Sequence, residues 1–442
     1  MTGDEHSQLP RSLPREPVDR VVEPLSRFLH VEAASGVVLI LCAGTALVLA
    51  NSPLADGFLG FWNTPFTIGI GSLEMSHSLK HWINDGLMAI FFFVIGLEVK
   101  REAVIGELRD PRRAALPIAA ALGGMIAPAA IYLWLQLGEA GQRGWGIPMA
   151  TDIAFVVGCM ALLGSRVPLS LRVVLLSIAI ADDIGAILVI AIGYTETIDT
   201  TALLLGVLGV GVVVAMARVG VRSIGVYLVM GAGVWLAFHE SGVHATIAGV
   251  VLGLLTPARS WVSPGLLGET VQSAGSFLQG GGWDSPAARG AALRQVETAA
   301  REAVSPLERL ETRLHPWVGF AIMPVFALAN AGVTFEISDF GNPIAVASAA
   351  GLVIGKPVGI VCVSWLAVRL GLAKLPEDLD WGVMAGAGML AGIGFTMALF
   401  IAGLALDGGA LDAAKVGILG GSAVAGAAGM AWLRWRLPAP AA

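Results

Sequence analysis

Apolar runs of about 20 residues, each long enough to carry an α-helix across a bilayer, recur along this chain and constrain its fold more than any other feature. Twelve candidates fall at about 33–51, 81–99, 114–136, 146–164, 172–193, 201–217, 224–239, 243–257, 316–333, 344–368, 381–405 and 414–433. Hydrocarbon cannot satisfy backbone N–H and C=O groups, so each span has to be helical. Of the 442 residues, 56% are hydrophobic and only 14% charged, which excludes a soluble globular enzyme. The 57 glycines show no collagen period and concentrate in apolar stretches, where they let helices pack closely. A net charge of −6, with no Lys/Arg stripe among aromatics, excludes nucleic-acid binding. Cys42, Cys159 and Cys362 lack the spacing of a disulfide framework or zinc site and read as packing residues. The expectation is an all-α polytopic membrane protein.

Residues 1–32 are polar and carry Pro10, Pro14, Pro17, Pro24 and four arginines, so no secretory signal is read there and the first apolar run is a retained span. Cytoplasmic loops are enriched in Lys and Arg. With twelve spans, 23 of the 27 basic residues fall on the side of the termini; only Lys80, Arg143 and Lys415 fall opposite, and Lys356 lies within a span. Both termini are therefore expected inside, with 1–26 a disordered cytoplasmic extension, 27–436 the membrane domain and 437–442 a tail.

Two connections are long. In the first, Phe66-Thr67-Ile68-Gly69-Ile70 alternates apolar with small or polar residues, and Gly71-Ser72 precede a second short run. The pattern alone leaves a β-hairpin and an irregular loop open. The second, 258–313, is rich in Gly, Ser and Pro to about 285 and then becomes charged and amphipathic, with Arg294, Glu297, Arg301 and Glu302. A flexible segment followed by a helix at the cytoplasmic surface is expected.

Ionisable residues inside spans are costly and mark functional sites by default. Four stand out: Asp152, Asp182, Asp183 and Lys356. A structural ion pair explains any one of them, but four charges from three spans favour an ion or proton pathway. Three acids against one base suit a cation. Adjacent positions on a helix point about 100° apart, so Asp182 and Asp183 need different partners: one can meet Lys356 while the other faces the cavity. A carboxylate that releases a proton to take sodium, and takes one to release it, is a minimal exchanger. Sodium is hard and suits oxygen ligands, and these spans supply no sulfur or histidine cluster for a transition metal. Breaks at membrane depth are tolerated only where backbone lines a cavity or is buried in protein. Gly146-Ile147-Pro148-Met149-Ala150-Thr151-Asp152 and Gly392-Ile393-Gly394-Phe395-Thr396 both have the composition for one. They fall second in span groups 3-4-5 and 10-11-12, the placement expected of inverted repeats. Half-helix ends carry about ±0.5 e, which Asp152 and Lys356 would compensate.

At these residues the chain resembles the NhaA-type bacterial sodium-proton antiporters. The matching stretches are Gly96-Leu97-Glu98-Val99-Lys100-Arg101-Glu102, Ala150-Thr151-Asp152-Ile153-Ala154-Phe155, Asp182-Asp183-Ile184-Gly185-Ala186, Ser241-Gly242-Val243-His244-Ala245-Thr246, Leu314-His315-Pro316-Trp317, Gly355-Lys356-Pro357 and the Gly392–Thr396 stretch. The resemblance implies twelve helices, with unwound helices four and eleven crossing near the midplane, in the bacterial inner membrane. It implies electrogenic, pH-regulated exchange of cytoplasmic Na+ or Li+ for external H+, with no cofactor and no catalytic residue. Asp183 would be the main cation and proton carboxylate, and Asp182 the acid that pairs with Lys356. Thr151 and Asp152 would lie beside the site, at the crossing that Gly392, Gly394 and Thr396 unwind. Glu98, Arg101, Glu102, Glu311 and His315 would form a pH-responsive funnel cluster, and His244 matches another pH-response position. Without the resemblance, Glu98 to Glu102 is simply a solvated charged helix end. The segment near 58–76 would be an external hairpin through which copies dimerise. Thr312 stands where the family commonly has a histidine, and 258–306 is longer than the corresponding family loop.

Three rivals remain. An intramembrane aspartyl protease would need a Gly-x-Gly-Asp context, whereas Asp182-Asp183 follow Ala181. A sodium-coupled organic-solute symporter of similar fold would not require Lys356 paired with an acid. A channel would show no fixed coupling of sodium to proton flux.

Overall fold

A computed structural model describes residues 32–70, 73–195, 198–221, 223–282, 284–334 and 336–438. The expected extension at 1–26 lies outside them, as do Gly71, Ser72 and residues 439–442. The chain begins with α1 (Glu32–Ala50) and a short α2 (Ala55–Trp62). Next come β1 (Pro65–Ile70) and β2 (Leu73–Ser78), which pair antiparallel with Phe66 opposite His77 and Ile68 opposite Met75. The open choice between hairpin and loop thus resolves to a hairpin. The Thr67 and Ser76 hydroxyls bond across it at 2.8 Å, and the Trp82 indole N–H donates to the Phe66 carbonyl at 2.8 Å.

Helices then follow in series: α3 (Leu79–Val104), α4 (Pro111–Gln136), a 3₁₀ segment (Gln142–Met149) leading into α5 (Ile153–Leu163), α6 (Leu169–Gly193), α7 (Thr200–Val219), α8 (Ile224–Glu240) and α9 (Thr246–Leu255). Their starts are written locally. Asp110 accepts from the Arg112 N–H ahead of Pro111, and Asp199 accepts from the N–H groups of Thr201 and Ala202 at 2.8 and 3.0 Å. Gly220 closes α7 in the left-handed region, at φ 87°.

The connection after α9 departs from expectation. Instead of a flexible stretch before one helix, it folds as α10 (Pro264–Phe277) and α11 (Pro286–Ala303), followed by α12 (Pro306–Trp317). Each begins at a Ser-Pro pair in which the serine hydroxyl accepts a backbone N–H: Ser263 from Leu266, Ser285 from Ala288 and Ser305 from Glu308. A serine cap with proline in the first turn outweighs the glycine content that suggested flexibility. The N–H groups of Trp261 and Val262 both reach the Glu302 carbonyl at 3.1 Å, tying the segment's start to its end.

Beyond α12, a π-helical turn leads into α13 (Met323–Asn330), then α14 (Pro343–Arg369), α15 (Trp381–Ala391), α16 (Phe395–Ala405) and α17 (Gly408–Arg436). Among the described residues, seven helices are long and apolar enough to cross a membrane, or eight if α15 and α16, bent by 49°, form one broken span. Leu204, Leu205 and Leu208 on α7 and Leu228 and Val229 on α8 are exposed, an apolar surface suited to lipid.

Two glycine contacts fix the interior. A Cβ on Gly123 of α4 would stand 2.1 Å from the Gly359 carbonyl oxygen of α14, and one on Gly359 would stand 2.0 Å from that of Gly123. Likewise, a Cβ on Gly249 of α9 would meet the Ala89 carbonyl oxygen of α3 at 2.2 Å. Both helix pairs touch backbone to backbone, the close approach that small residues permit.

Candidate ion site at two broken helices

Both predicted breaks are present, and they meet. The 3₁₀ segment ends at Met149, Ala150 and Asp152 are extended (ψ 150° and 101°), and α5 starts at Ile153. In the other chain segment α15 stops at Ala391 and α16 restarts at Phe395. The Asp152 N–H donates to the Ile393 carbonyl at 2.7 Å, linking the two breaks through backbone. A Cβ on Gly392 would stand 2.5 Å from the Leu352 carbonyl oxygen, and one on Gly394 would stand 3.2 Å from that of Ala150, so bulk is excluded at the crossing.

Asp152 caps both new helix starts. Its Oδ1 accepts from the Phe155 N–H of α5 at 3.3 Å, and its Oδ2 accepts from the Thr396 N–H of α16 at 3.1 Å and from the Thr396 hydroxyl. One buried carboxylate therefore neutralises the positive ends of two half-helices. The Ser422 hydroxyl of α17 accepts the Phe395 N–H at 3.1 Å. Ser422 went unnoticed in the sequence, where a lone hydroxyl in a small-residue helix carries no signal.

Lys356 is fully buried on α14 and forms an ion pair with Asp182 of α6. It also donates to the Thr151 hydroxyl at 2.7 Å. That hydroxyl has one proton and two acceptors in reach, the Asp182 carboxylate at 2.8 Å and the Ala391 carbonyl at 2.9 Å. Lys356 thus reaches the negative end of α15 through Thr151 rather than by direct contact. The Gly123/Gly359 contact brings α14 close enough to α4 for this placement, since Gly124 lies against the lysine stem.

Asp183, next along α6, is 2% exposed, and its Oδ1 is buried with no hydrogen-bond partner. Asp182 Oδ1 is likewise unpartnered. Buried polar atoms are ordinarily satisfied, so each unpartnered carboxylate oxygen is free to take a proton or to meet a hard cation. Glu98 of α3 and Asp152 lie close enough to act on Asp183 electrostatically.

The predicted funnel residues also assemble. Arg101 of α3 pairs with Glu311 of α12 and lies 3.7 Å from Glu102, while His315 Nδ1 lies 3.6 Å from Glu98 Oε1. Burial pushes the Glu311 carboxyl above its ordinary range, opposed by the Arg101 guanidinium. Glu102 accepts the Glu107 N–H at 3.1 Å, and the Thr312 hydroxyl turns back to the Glu308 carbonyl at 2.8 Å. His244 does not join them. Its Nε2 lies 3.0 Å from the carbonyl oxygen of Tyr194, just past the last residue of α6.

Residues 26–433 match the profile of the family described as Na+/H+ antiporter 1. A Na+/H+ antiporter NhaA of Rhodopirellula baltica is 55% identical over 435 residues, covering 98% of this chain and 99% of its own. Another from Rhizobium meliloti is 54% identical over 417 residues, covering 94% and 95%. An Acidiphilium cryptum antiporter, NhaA 2, is 52% identical over 421 residues, covering 95% and 94%. With the profile spanning nearly the whole chain and such identities over nearly full length, this protein belongs to the Na+/H+ antiporter 1 family.

Proposed function

We propose that the chain is a secondary transporter that exchanges Na+ or Li+ for H+ at Asp183. The observation that carries this reading is the unpartnered buried oxygen of Asp183 beside the Asp182–Lys356 pair. A cation there is met by oxygens once Asp183 has lost its proton, and reprotonation expels it; the two cargoes compete for one carboxylate. Electrogenic exchange needs more than one proton per sodium, and the Asp182–Lys356 pair supplies a second titratable group. Asp152, with both oxygens engaged by donors, holds the helix ends and leaves the cargo to its neighbours.

In the proposed topology, the shorter apolar helices α1, α8 and α9 and the α12–α13 unit join the seven long spans and the bent α15–α16 pair to make twelve. Spans 3-4-5 and 10-11-12 form inverted repeats, and both termini face the cytoplasm of a bacterial inner membrane. The Lys/Arg asymmetry and the matched positions of the two breaks support this. The Arg101–Glu311 and His315–Glu98 contacts then form the cytoplasmic mouth and regulate exchange by pH. The hairpin faces outward and joins two copies; Phe66 and Ile68 are exposed on it, and a two-stranded sheet leaves strand edges to pair.

The test is sodium-driven collapse of a pH gradient in everted vesicles lacking other antiporters, scanned over about pH 6.5 to 8.5, a window around histidine's ordinary range. Collapse in the wild type without any organic solute supports exchange; an inserted, folded protein that moves no protons at any pH overturns it.

A further inference from the structure

Away from the ion site, three histidines from separate parts of the chain converge at the hairpin end of the molecule. His77 lies in β2, His81 in the first turn of α3 and His239 in the last turn of α8. One ligand nitrogen from each lies within 4.8 Å of the other two. The His77 and His81 rings stack at 4.2 Å, and His239 stands steeply inclined to both at 5.5 Å. Behind them Asp85, one turn along α3 from His81, places Oδ2 3.3 Å from His239 Nδ1 and 3.6 Å from His81 Nε2.

A second observation points to a ligand. His81 Nε2 is buried, has no hydrogen-bond partner and belongs to the cluster. Leaving a buried ring nitrogen unsatisfied is costly unless something binds it. Aromatic packing explains part of the arrangement, since His239 stacks on Trp235 at 5.6 Å and Trp235 on Trp82 at 6.3 Å. It does not explain why three imidazoles bring nitrogens together beside a carboxylate.

Imidazole nitrogen with one carboxylate oxygen is a donor set for divalent transition metals and a poor one for alkali cations. Zinc–nitrogen bonds of about 2.0–2.1 Å put tetrahedral ligand atoms roughly 3.3 Å apart, so closing a shell requires the stacked His77 and His81 rings to turn and draw their nitrogens in from the observed spacing of up to 4.8 Å. The Trp235 indole N–H donates to the Asp85 carbonyl at 3.2 Å, so α8 and α3 are already held together here.

We propose that His77, His81 and His239, with Asp85 as the fourth ligand, bind a divalent transition metal ion such as Zn2+ at the base of the hairpin. The bound ion ties β2 and the start of α3 to the end of α8, fixing the hairpin's angle to the helices. The site is separate from Asp183 and does not depend on the exchange reading.

The test uses the full chain purified in detergent, stripped with a chelator and titrated with Zn2+ by calorimetry. The expected result is saturable binding of one ion per chain, at least about tenfold weaker in His77→Ala and in His239→Ala. Metal-free melting of both variants at the wild-type temperature shows that the loss is not unfolding. Co2+ in the wild type gives the same answer without substitution, through the strong visible absorption of a tetrahedral nitrogen–oxygen site. No saturable binding up to about 1 mM, wild-type affinity in either variant, or a weak octahedral Co2+ spectrum would each overturn the proposal.

Discussion

Asp183→Asn keeps the shape of the side chain and removes its charge, so sodium-driven proton flux in vesicles is expected to fall to background while the protein still inserts and melts as the wild type does. Substituting Lys356 tests a different property. Lys356→Ala leaves Asp182 as an uncompensated buried charge, an arrangement that costs about 3–5 kcal/mol. Its thermal unfolding in detergent should drop sharply, and Asp182→Asn added to it should restore much of the loss; equal melting of wild type and Lys356→Ala would contradict the pair's role. The four buried charges were legible in the sequence because a charge in an apolar run is costly enough to demand a reason. Thr151's two acceptors and Ser422's capping bond were not, since a hydroxyl among alanines and glycines looks the same whether it caps a helix or points at lipid. The link from Asp152 to Ile393 is backbone to backbone and has no side-chain signature at all.

Helices set the positions of these groups, and their contacts give predictions of their own. Gly359→Ala forces a Cβ against the Gly123 carbonyl and should push α14 from α4, with the 1–3 kcal/mol cost typical of overpacking, about a few degrees of melting temperature. Because Lys356 rides on α14, exchange should weaken too. At the mouth, the raised Glu311 carboxyl means that the folded protein holds this proton more tightly than the unfolded chain. Ionising it therefore costs stability as pH rises through the unfolded value toward the folded one, and Arg101 offsets part of that cost. Arg101→Gln should keep Glu311 protonated to higher pH and move the onset of exchange to the alkaline side in the vesicle assay; an unmoved profile removes Arg101 from the pH response. Breaks at Gly146–Asp152 and Gly392–Thr396 were readable because glycine and proline interrupt otherwise apolar spans. The helix at 286–303 was expected from its charged, amphipathic sequence, whereas α10 was missed because composition was weighed ahead of its Ser-Pro start, whose hydroxyl and fixed φ decide the matter locally.

Across the whole molecule, the proposed reading assigns the joining of copies to the hairpin and exchange to the helical core. Replacing residues 65–78 by a short Gly-Ser turn should yield monomers in light scattering with exchange retained at high protein level; dimers after the deletion would locate the joint elsewhere. The hairpin's alternation was visible in sequence, whereas its register awaited the paired strand. The bond from the Asp152 N–H to the Ile393 carbonyl has a consequence at this scale. It splices the two interrupted spans into a miniature axle, so unwinding either break further first has to give up that bond. Under the proposed exchange, a rotation that turned Asp183 from one side of the bilayer to the other would keep this bond only by carrying both half-helix pairs together, like two cranks keyed to a common shaft.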